Sequence, residues 1–162
     1  MDISFPPGLH VIYGESGSGK SQFIYSLSGL KDEQESNFTF TNLVIPRSSQ
    51  IVFQNPENQI LSYTLESELA FASECQTIHS QDLQEKLALL KSDLPFVNNW
   101  NRHPETLSGG QMEMLNLVTA FSTNPRLVFI DDGLSFLNDD SKENWVDWIR
   151  NKISRGKIVL WF

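Results

Sequence analysis

A single cysteine, Cys75, stands in the 162-residue chain, so no intrachain disulfide can form and a disulfide-stapled scaffold is excluded. Long apolar runs are missing as well: no stretch approaches the ~20 residues that cross a bilayer, and a membrane role would need a partner chain. Nothing from Met1 to Gly14 has the charged start and apolar run of a secretory signal. The expected compartment is therefore the cytoplasm. Positive charge is scarce, with twelve basic residues against twenty acidic ones and a net charge of -8, which opposes binding to nucleic acid or to an anionic membrane. Histidines number only three, and His10, His79 and His103 share no metal-ligand spacing. Cys75 and His79 are one helical turn apart, but a partly buried thiol beside a helix end explains Cys75 more simply than a metal pair. No repeat or linker interrupts the chain, and Lys31 to Ser36 reads as a polar loop.

What is present is enough for one core. A hydrophobic content of 40% over this length supports a single domain across residues 1–162 and hardly two. Four short apolar runs, at Leu9–Tyr13, Gln50–Phe53, Arg126–Asp131 and Lys157–Trp161, suit strands covered on both faces, as in a parallel sheet. Helical patterns lie between them. Ser21 to Gly29 follows a glycine-rich turn and ends at a glycine; Thr64 caps a segment with Glu66 and Glu68 in its first turn. Ser80 caps another, with Leu83, Leu87, Leu90 and Leu94 on one stripe. Gln111 to Ser122 carries Met114, Leu115, Val118 and Phe121 at helical spacing and stops at Asn124-Pro125. A last helix starts near Ser141, after a solvated Asp139-Asp140, and buries Trp145, Trp148, Ile149 and Ile153. Trp161 joins that core from the following strand. The alternation predicts an α/β fold, a mostly parallel sheet flanked by helices, with about residues 60–105 forming a helical side lobe.

Chemistry concentrates in two loops. Gly14-Glu15-Ser16-Gly17-Ser18-Gly19-Lys20-Ser21 follows an apolar strand and opens a helix, the context in which a glycine-rich loop cradles phosphates. Its glycines let the backbone turn tightly and aim N–H groups at phosphate oxygens, and the helix behind presents its positive end. Lys20 is placed for the β and γ phosphates of a nucleoside triphosphate, and Ser21 for Mg²⁺. Leu107-Ser108-Gly109-Gly110-Gln111 also opens a helix. There the Ser108 hydroxyl and the amides of Gly109 and Gly110 can face an anion, and an apolar strand ending in two acids, Asp131 and Asp132, follows.

In order and spacing these two loops resemble the nucleotide-binding domain of ABC ATPases, a P-loop NTPase fold. The resemblance implies ATP and Mg²⁺ as ligands. It implies that Ser108, Gly109, Gly110 and Gln111 meet the nucleotide held by a second subunit, so that a complete site needs a homo- or heterodimer. Gln54 matches the Q-loop glutamine, which senses metal and attacking water. Asp131 matches the Walker B aspartate, on the metal together with Ser21 and Gln54, and Asp132 stands where a glutamate usually polarises the attacking water. Ser135 to Asn138 stands at the D-loop. Val52 to Ile60, followed by Thr64 to Phe71, narrows the resemblance to ATPases of energy-coupling-factor importers of vitamins and transition-metal ions. In that group the stretch corresponding to Pro56 to Ser62 helps form a groove for a membrane-embedded transport subunit, which would place the chain on the inner face of the membrane through its partner.

The departures matter too. The aromatic residue that stacks on adenine would precede Met1, and Phe5, ahead of Pro6-Pro7-Gly8, is a poor substitute. The switch histidine would follow Phe162. Asp132 is shorter than glutamate, Asn138 replaces an aspartate, Met114 an arginine and Gly133 a proline. Slow hydrolysis coupled to transport is the expectation. A catalytically degenerate, regulatory ATP-binding module remains the alternative, and an ABC ATPase of DNA repair is disfavoured by the acidic balance and the lack of a coiled-coil insertion.

Overall fold

A computed structural model describes residues 3–30, 38, 40–74, 80–153 and 156–162. The polar loop 31–36 and the Cys75/His79 pair lie outside the described residues. The order is β1 (Gly8–Val11), α1 (Lys20–Ser28), β2 (Ser49–Val52), a 3₁₀ turn at Pro56–Gln59, α2 (Leu65–Glu74), α3 (Ser80–Ser92), a second 3₁₀ turn at Pro104–Thr106, α4 (Gly109–Ser122), β3 (Leu127–Ile130), α5 (Asp139–Lys152) and β4 (Ile158–Trp161). All four strands run parallel in the order β1-β4-β3-β2.

Side-chain alternation divides the sheet into two apolar faces. Leu127 and Phe129 of β3, with Leu160 and Phe162, pack on Ile24 of α1. Val128 and Ile130, with Val159, pack on Leu115, Val118 and Phe121 of α4 and on Trp145 and Ile149 of α5. The central strand β3 is buried at every residue, as a double-covered strand should be. The edge strand β1 is not. Val11 is 45% and Tyr13, beyond the strand, 90% exposed, which corrects the expectation that all four apolar runs are covered on both faces. Among the described residues β1 pairs with β4 on one side alone, and its burial falls accordingly.

Helix ends follow local chemistry. α1 closes on Gly29, whose φ of 75° is left-handed and whose N–H reaches Tyr25 O. Thr64 Oγ1 accepts from Ser67 N at 3.1 Å ahead of α2. α5 begins two residues earlier than expected: Asp139 and Asp140 are in its first turn, and Asn138 caps it by accepting from Ser141 N at 2.9 Å. In the side lobe Leu65, Leu69, Leu87 and Leu94 are buried, and Lys91 pairs with Glu66 at 2.9 Å to tie α3 to α2. Asp93, after α3, meets Lys152 of α5 at 2.9 Å. Among the described residues no helix is long and apolar enough to cross a membrane.

Candidate nucleotide site and partner groove

Strand register gathers the candidate residues at one edge of the sheet. Val11 and Ile130 both align with Trp161, and Val52 aligns with Ile130, so the loops after β1, β2 and β3 leave the sheet at one level. Ligand sites of open parallel sheets form at this carboxyl edge. The glycine-rich loop leaves β1 there, with Gly17 at φ 79° and Gly19 at φ 91°, conformations that glycine adopts without steric cost. Lys20 Nζ folds back onto Gly14 O at 2.7 Å and Glu15 O at 3.0 Å, which stretches the ammonium across the mouth of the loop. The Glu15, Ser16 and Ser18 positions are exposed along it.

Ser21, one residue into α1, donates to Asp131 Oδ1 at 2.9 Å across 110 positions of chain. Asp131 is only 2% exposed, and its Oδ2 has no hydrogen-bond donor among the described residues. Burial first, then the Asp131 charge and a contact with that carboxylate, push the Tyr25 phenol up. A serine hydroxyl beside a buried carboxylate oxygen with a free lone pair is a hard-oxygen donor set that fits Mg²⁺. Gln54 Nε2 donates to Asp132 Oδ2 at 3.0 Å, joining the loop after β2 to the exposed second acid. Asp132 has a φ of 51° and its N–H bonds Phe162 O at 3.1 Å. Gly133 has no room for more: a Cβ there would stand 2.4 Å from Ile130 Cγ2.

The second loop is held by the cap of its own helix. Ser108 Oγ accepts from Gln111 N at 3.3 Å and Gln111 Oε1 accepts from Ser108 N at 3.2 Å, a reciprocal cap for α4. In this arrangement Gln111 serves the helix end, and the Ser108 O–H retains its proton for donation. Among the described residues no hydrogen bond joins Ser108, Gly109, Gly110 or Gln111 to the glycine-rich loop. They lie instead against residues 136 and 137: a Cβ on Gly109 would meet the Phe136 ring at 3.1 Å, and one on Gly110 would meet Leu137 Cδ2 at 2.5 Å.

Within Pro56 to Ser62, the residues Glu57, Ile60, Leu61 and Ser62 border an open groove of about 500 Å³, lined on its other sides by Tyr63, His103, Glu105 and Met112. Leu61 and Tyr63 are 68% and 84% exposed at its rim. Its walls depend on side chains to which sequence reasoning assigned no such role. Glu68, 3% exposed, accepts from Leu61 N at 3.0 Å and Ser62 N at 2.8 Å, so it does more than oppose the helix dipole. Gln59 bonds Phe53 N and Ile51 O at 2.8 and 2.9 Å, and buried Asn116 of α4 donates to Pro56 O at 2.7 Å. Glu113 accepts from Ser135 and Phe136. A charge and an amide on the buried stripe of an apolar helix were the available signal for Glu113 and Asn116.

Parallel strands carrying a glycine-rich loop into a helix, with a buried acid from a neighbouring strand on that helix's serine, define a P-loop α/β nucleotide-binding domain. Residues 2–135 match the family model described as ABC transporter, and the chain belongs to that family. It is similar to the energy-coupling factor transporter ATP-binding protein EcfA1 of Latilactobacillus sakei, 32% identical over 92% of this chain and 56% of the relative. It is also similar to a protein of that description from Staphylococcus aureus, 25% identical over 98% of this chain and 63% of the relative. The chain thus spans between 56% and 63% of the length of these relatives. Among solved structures, cbiO1 from Clostridium perfringens, described as part of the ABC transporter complex cbiONQ, superposes with a TM-score of 0.76 at 18% identity, over 99% of this chain and 68% of that one. An ATP-binding subunit of an ABC transporter gives a TM-score of 0.76 at 20% identity, over 96% of this chain and 68% of that chain. Both likenesses concern the fold.

Proposed function

We propose that the chain is one ATP-binding domain of an importer of the energy-coupling-factor type, binding Mg·ATP and hydrolysing it slowly. The observation that carries this reading is the Ser21–Asp131 contact at 2.9 Å with Asp131 Oδ2 left buried and unpartnered, a donor set awaiting a hard cation beside a phosphate cradle. The names of the relatives support the importer assignment.

In this reading the N–H groups of residues 14 to 21 bind the phosphates, and Lys20 exchanges its bonds to Gly14 O and Glu15 O for the β and γ phosphate oxygens. Ser21 and Asp131 hold Mg²⁺, which when bound neutralises charge on the phosphates. Gln54 and Asp132 orient a water toward the γ phosphate, with the Asp132 carboxylate as proton acceptor. Ser108, Gly109 and Gly110 face the nucleotide of a second subunit in a homo- or heterodimer; in support, no hydrogen bond among the described residues ties them to the chain's own phosphate loop, and they pack on residues 136 and 137 instead. The groove beside Pro56–Ser62, with Leu61 and Tyr63 exposed at its rim, receives a membrane-embedded transport subunit, which keeps the domain at the cytoplasmic face. Titration calorimetry with Mg·ATP tests the core of the proposal. Lys20→Ala should weaken binding by at least ~100-fold, since it removes a charge-assisted contact to two phosphates. Equal affinity of the two proteins would overturn it.

A further inference from the structure

Glu113 is a carboxylate on the apolar stripe of a helix. It is 4% exposed on α4, between the buried Met112 and Leu115, and takes part in none of the ion pairs of the described residues. A charge so placed is tolerated only where hydrogen bonds replace water at its oxygens. The donors come from one short segment. Oε1 accepts from Ser135 N at 3.0 Å and from Ser135 Oγ at 3.3 Å, and Oε2 accepts from Phe136 N at 3.2 Å.

That segment leaves the two acids through a constrained turn. Asp132 and Leu134 have φ of 51° and 68°, left-handed values that cost free energy for residues with a Cβ and persist only when the surroundings enforce them. One end of the turn is tied by Asp132 N to Phe162 O and Asp131 N to Val52 O. The other end lies on the first turn of α4, where a Cβ on Gly110 would stand 3.1 Å from Phe136 O. Only Gly133 and Leu134 separate Asp132 from the bonds that Glu113 makes.

We propose that Glu113 is a positioning residue, which holds the Ser135 and Phe136 amides and thereby fixes the turn that aims the Asp132 carboxylate at its reacting water. α4 then carries at its first turn the loop offered to the second subunit's nucleotide, and four residues on the anchor of this chain's own acid. The kinetic consequence rests on the reading of Asp132 given above; the positional one does not. Burial pushes the Glu113 carboxyl up while the loop donors draw it down, as expected of a carboxylate whose solvation has been taken over by the loop.

The test compares wild type, Glu113→Ala, Glu113→Gln and, as a destabilised control remote from the loop, Leu87→Ala in the lobe core. Amide hydrogen exchange, the NMR signals of the Gln54 side-chain amide and steady-state ATP turnover are measured on each. Glu113→Ala should speed exchange at Ser135 and Phe136 by at least ~10-fold and shift the Gln54 side-chain signals. It should lower kcat by ~100-fold, the cost of misplacing a reacting group by about 1 Å, while KM for ATP changes little. Glu113→Gln keeps one acceptor oxygen and sets an NH₂ against the other donor, so one of the two amides should stay protected and kcat should fall less; this variant decides the matter if the alanine protein does not fold. Leu87→Ala should leave the Gln54 signals and kcat in place. Unchanged exchange at Ser135 and Phe136 in both Glu113 variants, or an equal kcat loss in Leu87→Ala, would overturn the proposal. A wild type without ATP turnover refutes the hydrolytic reading instead, and the exchange and Gln54 measurements then decide the positional claim alone.

Discussion

Replacing Asp132 by asparagine isolates one carboxylate charge with little else disturbed. The side chain keeps its shape and its carbonyl oxygen, so the 3.0 Å bond from Gln54 Nε2 can persist. Asparagine also tolerates the left-handed φ of 51° at this position better than most residues. Asp132 is exposed, so no buried charge is left unpaired. The fold and Mg·ATP affinity should therefore stay near wild type, whereas loss of a positioned proton acceptor removes ~10²–10⁴-fold in rate, or about 3–5 kcal/mol of barrier. Asp132→Glu probes reach. One more methylene advances the carboxylate by ~1 Å, and a correction of that size is worth up to ~100-fold. The expected order of single-turnover rates is Asp132→Glu above wild type, with Asp132→Asn at the background. An Asp132→Asn protein that turns over ATP as fast as wild type would refute the assignment of this carboxylate and the route from Gln54 to it.

Three further outcomes are expected. Ser108→Arg should leave Mg·ATP binding by the single chain within about threefold while abolishing nucleotide-dependent dimerisation in sedimentation, because the α4 cap shares no hydrogen bond with the chain's own phosphate loop among the described residues; parallel loss of ATP binding would place the loop on the wrong nucleotide. Gly133→Ala should destabilise by about 1–3 kcal/mol in a urea melt, since its Cβ would press at 2.4 Å on the methyl of Ile130, a residue only 1% exposed, and an unchanged midpoint would show that the turn gives way freely. Burial raises the Glu113 carboxyl in the folded chain, so its contribution favours folding below the ordinary glutamate range and is lost as pH climbs through the raised folded value. Denaturant melts from about pH 4 to pH 7 should therefore show wild type losing stability relative to Glu113→Gln, and a difference that is flat or runs the other way would contradict the shift.

Local features were the legible ones. Gly14 to Ser21 announces itself because each position answers to phosphate geometry within eight residues, and β3 does so because four consecutive apolar residues need cover on both faces. The Ser21–Asp131 contact joins residues 110 positions apart, and only the family resemblance, not periodicity, could pair them in advance. Strand order was hidden for the same reason: apolar runs look alike at the edge and in the centre, so the exposure of Val11 came out only with the sheet. Asn138 looked like a worn D-loop position, yet it caps α5, a role that its neighbour Ser141 could have suggested. Glu113 and Asn116 interrupt the apolar stripe of α4 but name no partner, and Gln59 carries no local pattern at all; their partners come from other segments, and only packing reveals what a buried polar side chain holds.

The placement of β4 between β1 and β3 also dictates when the nucleotide cradle can exist. Among the described residues the strand that launches the glycine-rich loop pairs with β4 alone, Gly8 beside Ile158 and Val11 beside Trp161. Closing a loop of about 150 residues costs about 4–5 kcal/mol of chain entropy before any pairing is gained. Synthesis places β1 before β4, so the β1–β4 ladder cannot form until residues 158–161 have been made. A ligand of the glycine-rich loop would therefore stabilise only chains in which the β1–β4 ladder has already formed, so it would act on the finished sheet rather than on its assembly.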